Sequence, residues 1–183
     1  MAVELKVLGA CVIFAQCHDR WDMGIMTELG FLERSIALAL DSVASGGGPF
    51  GAVISCNGQI IAEACNGVTL HNDPTAHAEI GAIRQAAAVL GRPHLDDCVL
   101  YASCEPCPMC LAAILWAHIP RVVFASTYAE AGRAGFADTH IALQLYGQAR
   151  PVAPGEGVLT LLELEHAAAP FDAWLAKADR REY

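Results

Sequence analysis

A chain of 183 residues, 55% of them hydrophobic, is long enough to bury one core and too apolar to be intrinsically disordered. A formal net charge of −9 sets it against phosphate backbones, and so against a nucleic-acid partner. Its eight cysteines show no paired framework, which excludes a disulfide-stapled secreted scaffold and suits a reducing, cytoplasmic setting.

The first two dozen residues fit poorly with the rest of the chain. Val7 to Ala15 is apolar but too short to cross a membrane, and its flanks do not make a signal peptide. Residues 1–25 are therefore read as an extension, with Met23 or Met26 as the natural beginning of a single domain over 26–183. From Glu28 to Ser45, Leu29, Leu32, Ile36, Leu40 and Val43 recur at helical spacing, and Gly46-Gly47-Gly48-Pro49 stops the helix. Two apolar runs come next, 51–56 and 59–66, joined by Asn57-Gly58, the signature of a two-residue hairpin. A loop over 67–74 leads into a helix that buries Ile80, Ile83, Ala87 and Leu90 and ends at Gly91-Arg92-Pro93. A third strand, 97–103, runs into a cysteine-rich turn and a helix to about His118, and a fourth strand covers 121–125. Residues 126–156 are less regular, with a short helix near 141–146. That connection is long enough for a crossover, so a fifth strand, 158–164, should lie parallel to the fourth. Pro170 opens a last helix, and an exposed charged tail runs from Lys177 to Tyr183. This order predicts an α/β fold: a central mixed sheet of five strands with helices on both faces.

The chemistry gathers in two stretches. Residues 75–79 read Thr-Ala-His-Ala-Glu, and residues 103–110 read Ser-Cys-Glu-Pro-Cys-Pro-Met-Cys. If Pro106 opens a helix, Cys107 and Cys110 lie on one face of its first turn and can grip one ion. His77 offers a third, nitrogen donor. Three protein donors leave one tetrahedral position open, the pattern of a catalytic zinc. Helix amino termini aimed at the cluster would favour thiolates. Glu79, two residues past His77, is placed to take a proton from water and pass it to a leaving group. Two other readings stay open on spacing alone. Cys104, Cys98 or His71 could complete a structural zinc site in a non-catalytic interaction module, and Cys-x-x-Cys could be a redox dithiol.

His-x-Glu followed, 26 residues on, by Pro-Cys-x-x-Cys is the general signature of zinc-dependent nucleobase deaminases. From Leu29 to Tyr183 the chain resembles the cytidine and deoxycytidylate deaminase superfamily, and within it the bacterial guanine deaminases. Gly48 to Val53, Asn72 to Glu79, Leu95 to Cys98, Ser103 to Cys110, Ala134-Gly135-Phe136 and the ending Phe171 to Trp174 through Glu182-Tyr183 carry the likeness. The metal motifs specify only the superfamily; the closing segments point to guanine.

The resemblance implies a three-layer α/β/α sandwich, a Zn²⁺ cofactor on His77, Cys107 and Cys110, and Glu79 as the proton carrier. It implies a small purine substrate, no nucleic acid, no membrane, and a homodimer whose exchanged carboxyl-terminal segments close the partner's pocket. By position, Tyr183 would be the closing residue, Asn66 and Asp138 would hydrogen-bond the base, and Phe50 and Trp116 would form pocket walls. Without the resemblance these residues have plain readings: Asn66 a turn cap, Asp138 a solvated loop residue, Phe50 and Trp116 core, Tyr183 a frayed end. The reaction implied is hydrolysis of guanine to xanthine and ammonia. A tRNA adenosine deaminase, or another deaminase of small bases or nucleosides, shares both motifs and is the alternative.

Overall fold

The computed structural model describes residues 26–136, 138–148, 155 and 157–183, so the reading of 1–25 as an extension lies outside the described residues. Helix α1, Glu28–Ala44, opens at Thr27, whose Oγ1 accepts from the Gly30 amide at 3.2 Å. Its buried stripe runs through Phe31, Leu32, Ser35, Ile36, Leu38, Ala39, Ser42 and Val43. Leu29 and Leu40, expected inside, are 43% and 37% exposed. The helix is rotated so that Phe31 and Leu38 meet the sheet instead, and Phe31 packs on Tyr101 with ring centroids 5.0 Å apart.

Strands β1, Gly51–Cys56, and β2, Gln59–Cys65, form the expected hairpin. Asn57 and Gly58 turn it with φ of 52° and 75°, the paired left-handed conformation of a type I′ turn. The stretch 67–74 is not all loop. It holds a short helix, α2, Val68–His71, whose first amide donates to Asn66 Oδ1 at 3.2 Å. Helix α3, Ala78–Leu90, ends where Gly91 takes the left-handed conformation (φ 65°). Strand β3, Cys98–Cys104, leads to helix α4, Pro108–Trp116, and then to strand β4, Arg121–Ser126. Helix α4 starts at Pro108 and not at Pro106. Pro108 occupies the first helical position, where a missing amide costs nothing, and Cys107 becomes the cap.

The region after β4 contains two helices, α5, Tyr128–Arg133, and α6, Thr139–Tyr146. The first was legible in Thr127-x-x-Glu130, a capping box in which Glu130 Oε2 accepts from the Thr127 amide at 2.7 Å. Strand β5, Leu159–Leu161, is parallel to β4 as expected but shorter than 158–164. Beyond Leu161 the chain leaves the edge of the sheet and turns at Leu164–Ala167 towards helix α7, Ala169–Ala176.

The sheet order is β2-β1-β3-β4-β5, with β1 antiparallel to both neighbours and β3, β4 and β5 parallel. Alternation along the strands divides the core. Ala52, Ile54, Leu100, Val122 and Phe124 pack with α3 and α4, while Val53, Tyr101, Val123 and Ala125 pack with α1. This is the three-layer α/β/α sandwich with a five-stranded mixed sheet. Among the described residues no helix is long and apolar enough to cross a membrane.

Candidate active site

The donors come from the ends of two helices. His77 caps α3 and Cys107 caps α4, and Cys110 lies on the first turn of α4. His77 is delivered by a tight turn in which Asp73 Oδ1 accepts from the Thr75 amide and hydroxyl at 2.8 and 2.7 Å. Gly67 then ties that turn to the end of β2 by donating its amide to the Ala76 carbonyl at 2.8 Å. The cysteine turn leaves the carboxyl end of β3, the usual site position in such sheets. It is braced by α5: the Tyr128 hydroxyl donates to the Pro106 carbonyl at 2.6 Å, and the Tyr128 amide donates to Glu105 Oε2 at 3.3 Å. Sequence reasoning assigned Tyr128 and Glu105 no part in this.

His77 Nδ1 stands 3.6 Å from Cys107 Sγ and 3.5 Å from Cys110 Sγ, and all three donor atoms lie within 4.8 Å of one another. An ion at about 2.3 Å from sulfur and about 2.0–2.1 Å from nitrogen, in tetrahedral geometry, sets such donors roughly 3.5 Å apart. Two thiols and an imidazole at that spacing fit zinc. Left to themselves, the three groups share charge. The Cys107 thiol is pulled down to about 4, first by its hydrogen bond with Cys110 and, against the cost of burial, by His77. Burial works against the His77 imidazolium, yet Cys107 prevails and raises it to about 9. Cys110 is pushed well above its ordinary value by Cys107 and by burial.

None of the alternative fourth donors joins the cluster. Cys104 Sγ points to the Thr127 carbonyl at 3.9 Å, Cys98 groups with Cys56 and Asp97, and His71 lies against Gly67. Among the described residues the cluster holds three protein donors.

Glu79 lies on the first turn of α3 and is 8% exposed. Burial first, then Cys107, raises its carboxyl to about 7. Asp138 caps α6 and is half-buried; burial, then repulsion from Cys107, raises it to about 6, while His77 and His140 pull the other way. Asn66 is 1% exposed, at the end of β2. Phe50 meets Phe136 edge-on at 4.9 Å and Phe171 at 5.7 Å.

Tyr183 is neither frayed nor simply exposed. Its ring lies 5.4 Å from Phe136 and 6.5 Å from Trp174, and its hydroxyl lies beside Gly48, on the side where Asn66 Oδ1 also approaches. A Cβ at Gly48 would overlap the Tyr183 hydroxyl and crowd Asn66 Oδ1, so glycine is what lets the tail approach. The residue keeps 44% of its surface exposed. Its phenol is nonetheless enclosed enough that burial, then Asp138 and Glu79, push its pKa up. Within one chain the tail lies over Gly48, Phe136 and Trp174. Trp116 is not brought to this pocket. It ends α4, nine residues from Cys107, and is 82% exposed.

The profile of the cytidine and deoxycytidylate deaminase zinc-binding region matches residues 26–126. The chain belongs to this deaminase family. Guanine deaminase from Bacillus subtilis is 49% identical over 159 residues, spanning 86% of this chain and all of that protein. The X-ray structure of Bacillus subtilis guanine deaminase superposes with a TM-score of 0.63 over 86% of this chain and 99% of that one. A tRNA:A34 deaminase structure, 28% identical, gives 0.58 over 79% of this chain and 99% of that one. The matched region contains the whole zinc-binding cluster and ends with β4. The elements that close the site, α6 and the carboxyl-terminal tail, lie beyond it.

Proposed function

We propose that this chain is a guanine deaminase that hydrolyses guanine to xanthine and ammonia. The likeness to Bacillus subtilis guanine deaminase along that protein's full length carries the choice of substrate. The three-donor cluster with Glu79 beside it carries the chemistry. Zinc held by His77, Cys107 and Cys110 supplies Lewis acidity that lets water ionise near neutral pH.

The chain's own residues do the rest. Glu79, buried beside the donors, is placed both to accept and to return a proton. Glu79 takes the proton released as the water oxygen bonds to C2 of the ring and delivers it to the adjacent ring nitrogen. It then takes the remaining proton from the added oxygen and gives it to the exocyclic amine as the C2–N bond breaks and C2=O forms, so that guanine and water become xanthine and ammonia. Asn66 is buried at the site and offers both a donor and an acceptor to the base edge. Asp138 sits within electrostatic reach of His77 and Cys107 and is assigned to the guanine N–H groups. Phe50, with Phe136 behind it, supplies an apolar wall. Tyr183 closes the mouth and excludes water, which strengthens each of these interactions. The tail must lift to admit and release the base.

A tRNA substrate is disfavoured by the net charge of −9 and by a tail that leaves no room for a polynucleotide. We place the reaction in the cytoplasm, where thiolate donors stay reduced. We also infer a deaminase domain over 26–183 and a homodimer, supported by exposed apolar residues on α4 and α6: Leu115, Trp116, Leu143 and Leu145.

The test is direct. Zinc-loaded protein incubated with guanine should release xanthine and ammonia in equal amounts. Turnover of tRNA adenosine or cytosine in preference to guanine would overturn the assignment.

A further inference from the structure

The parallel strands have a second end, opposite His77, Cys107 and Cys110. There the loop leading into β3 and the turn leading into β4 lie side by side, joined by the Leu95 amide donating to the Ala117 carbonyl at 2.8 Å. Leu95, Ala117 and Ile119 are buried anchors, at 0%, 5% and 1% exposure. Because these point inward, the residues beside them, His94, Asp96 and His118, are left on the surface.

The three surface residues are drawn together. The imidazoles of His94 and His118 stack with centroids 4.1 Å apart and planes within 9°, so one exposed ring turns out of the stack to bring both in-plane lone pairs to one ion. His118 Nδ1 is 3.3 Å from Asp96 Oδ1. One nitrogen from each ring and one Asp96 oxygen all fall within 4.8 Å of one another. The backbone makes a separate point. His118 comes just after α4 with φ of 59°, in the left-handed region where glycine is the unstrained choice. An imidazole is held there on a backbone that would be easier to form without it.

We propose that His94, Asp96 and His118 form a second metal site, for a borderline divalent cation of the zinc, nickel or copper class. Two imidazoles and a carboxylate suit those ions, whereas magnesium and calcium demand oxygen donors. The neighbouring carboxylate, Asp97, pairs with Arg92 and groups with Cys56 and Cys98 instead of with these three. Three exposed protein donors leave the remaining coordination positions to water or to a donor from another molecule. The site lies past the far end of α4, roughly 16 Å along the helix from Cys107. Its ion takes no part in the chemistry around Glu79.

The experiment uses the full chain with its deep site already loaded with zinc. Further zinc, or nickel alone, is titrated calorimetrically, and bound metal is counted after dialysis at fixed free metal. Wild type should take up one ion more per chain than the double variant His94→Gln, His118→Gly. The glycine retains the left-handed turn, and thermal unfolding checks that the fold is intact. Losing even an outer-shell partner commonly weakens a metal about 10–100-fold. Losing either ligand here should therefore weaken the extra ion at least about tenfold, with guanine turnover unchanged and magnesium not bound. The proposal fails if wild type binds no ion beyond the deep one. It fails equally if the variant keeps the extra ion at unchanged affinity, which would place that ion elsewhere, such as the Cys56–Asp97–Cys98 group.

Discussion

The two ends of the β3–α4–β4 unit each gather three side chains able to hold a metal, and they do so in opposite environments. At the carboxyl end, His77, Cys107 and Cys110 sit at helix amino termini, with both thiols buried. At the amino end, His94, Asp96 and His118 are exposed. Burial is what turns the first cluster into chemistry. It raises Glu79 to about 7, and it leaves Cys110 and His77 close enough to pull Cys107 down to about 4 against the cost of burial. The second cluster shares only imidazole with the first and has solvent all around it. Solvated charges interact weakly, so it can hold an ion but cannot tune a reacting group.

The largest effect should come from removing the proton carrier at the deep end. Glu79→Gln is expected to keep its zinc and lose about two to four orders of magnitude in turnover, measured as kcat alongside metal content. A variant that retained wild-type kcat would show that burial beside the donors has no catalytic consequence, and the contrast between the two ends would lose its meaning.

A smaller loss should come from opening the mouth of the same site. Removing residues 180–183 deletes Tyr183 and should lower kcat/KM by about 10–100-fold while sparing zinc, because a misplaced or unsealed substrate commonly costs that much. Gly48→Ala should reproduce part of the loss, since its Cβ displaces the Tyr183 hydroxyl without shortening the chain. Unchanged kinetics in both variants would remove the tail from the site.

The smallest effect concerns stability. The Asp138 carboxyl is raised from 3.8 to about 6 in the folded protein, mainly by burial. Between those values the native state holds a proton that the unfolded state has released, so ionisation of Asp138 costs stability as pH rises through that window. Asp138→Asn should therefore gain stability relative to wild type from about pH 4 to about pH 6, with the difference level above that. After discounting for partial exposure the gain should be about 1–2 kcal/mol, read from denaturant unfolding at several pH values. A difference independent of pH would mean that Asp138 is solvated and stands apart from the cluster.

Much of the architecture was legible because its signals are local. Asn57-Gly58 requires two left-handed residues, which almost dictates the β1–β2 hairpin. Gly91 marks the end of α3 for the same reason. The misreadings came from choices that local signals leave degenerate. Two prolines flank Cys107, and either could open a helix; the structure uses Pro108. Leu29 and Leu40 satisfy helical periodicity as well as Phe31 and Leu38 do, and only the position of the sheet beneath α1 decides between them. Helix α5 was overlooked although its capping box was in plain view.

The same division holds for the site. Spacing alone pairs His77 with Glu79 and Cys107 with Cys110, because a cap residue and the first turn of its helix are separated by fixed numbers of bonds. Whether the two pairs meet, whether Cys104 joins them, and whether Tyr183 reaches back from the end of the chain are long-range matters. They depend on β3 running beside β1, on the Tyr128 hydroxyl holding Pro106, and on the gap left by a missing side chain at Gly48. The amino-acid order by itself determined which groups are assigned the chemistry and which short segments carry them. Only the tertiary structure decided that they lie together and largely buried, since burial, and the proton affinities it shifts, exist only once distant segments have packed together.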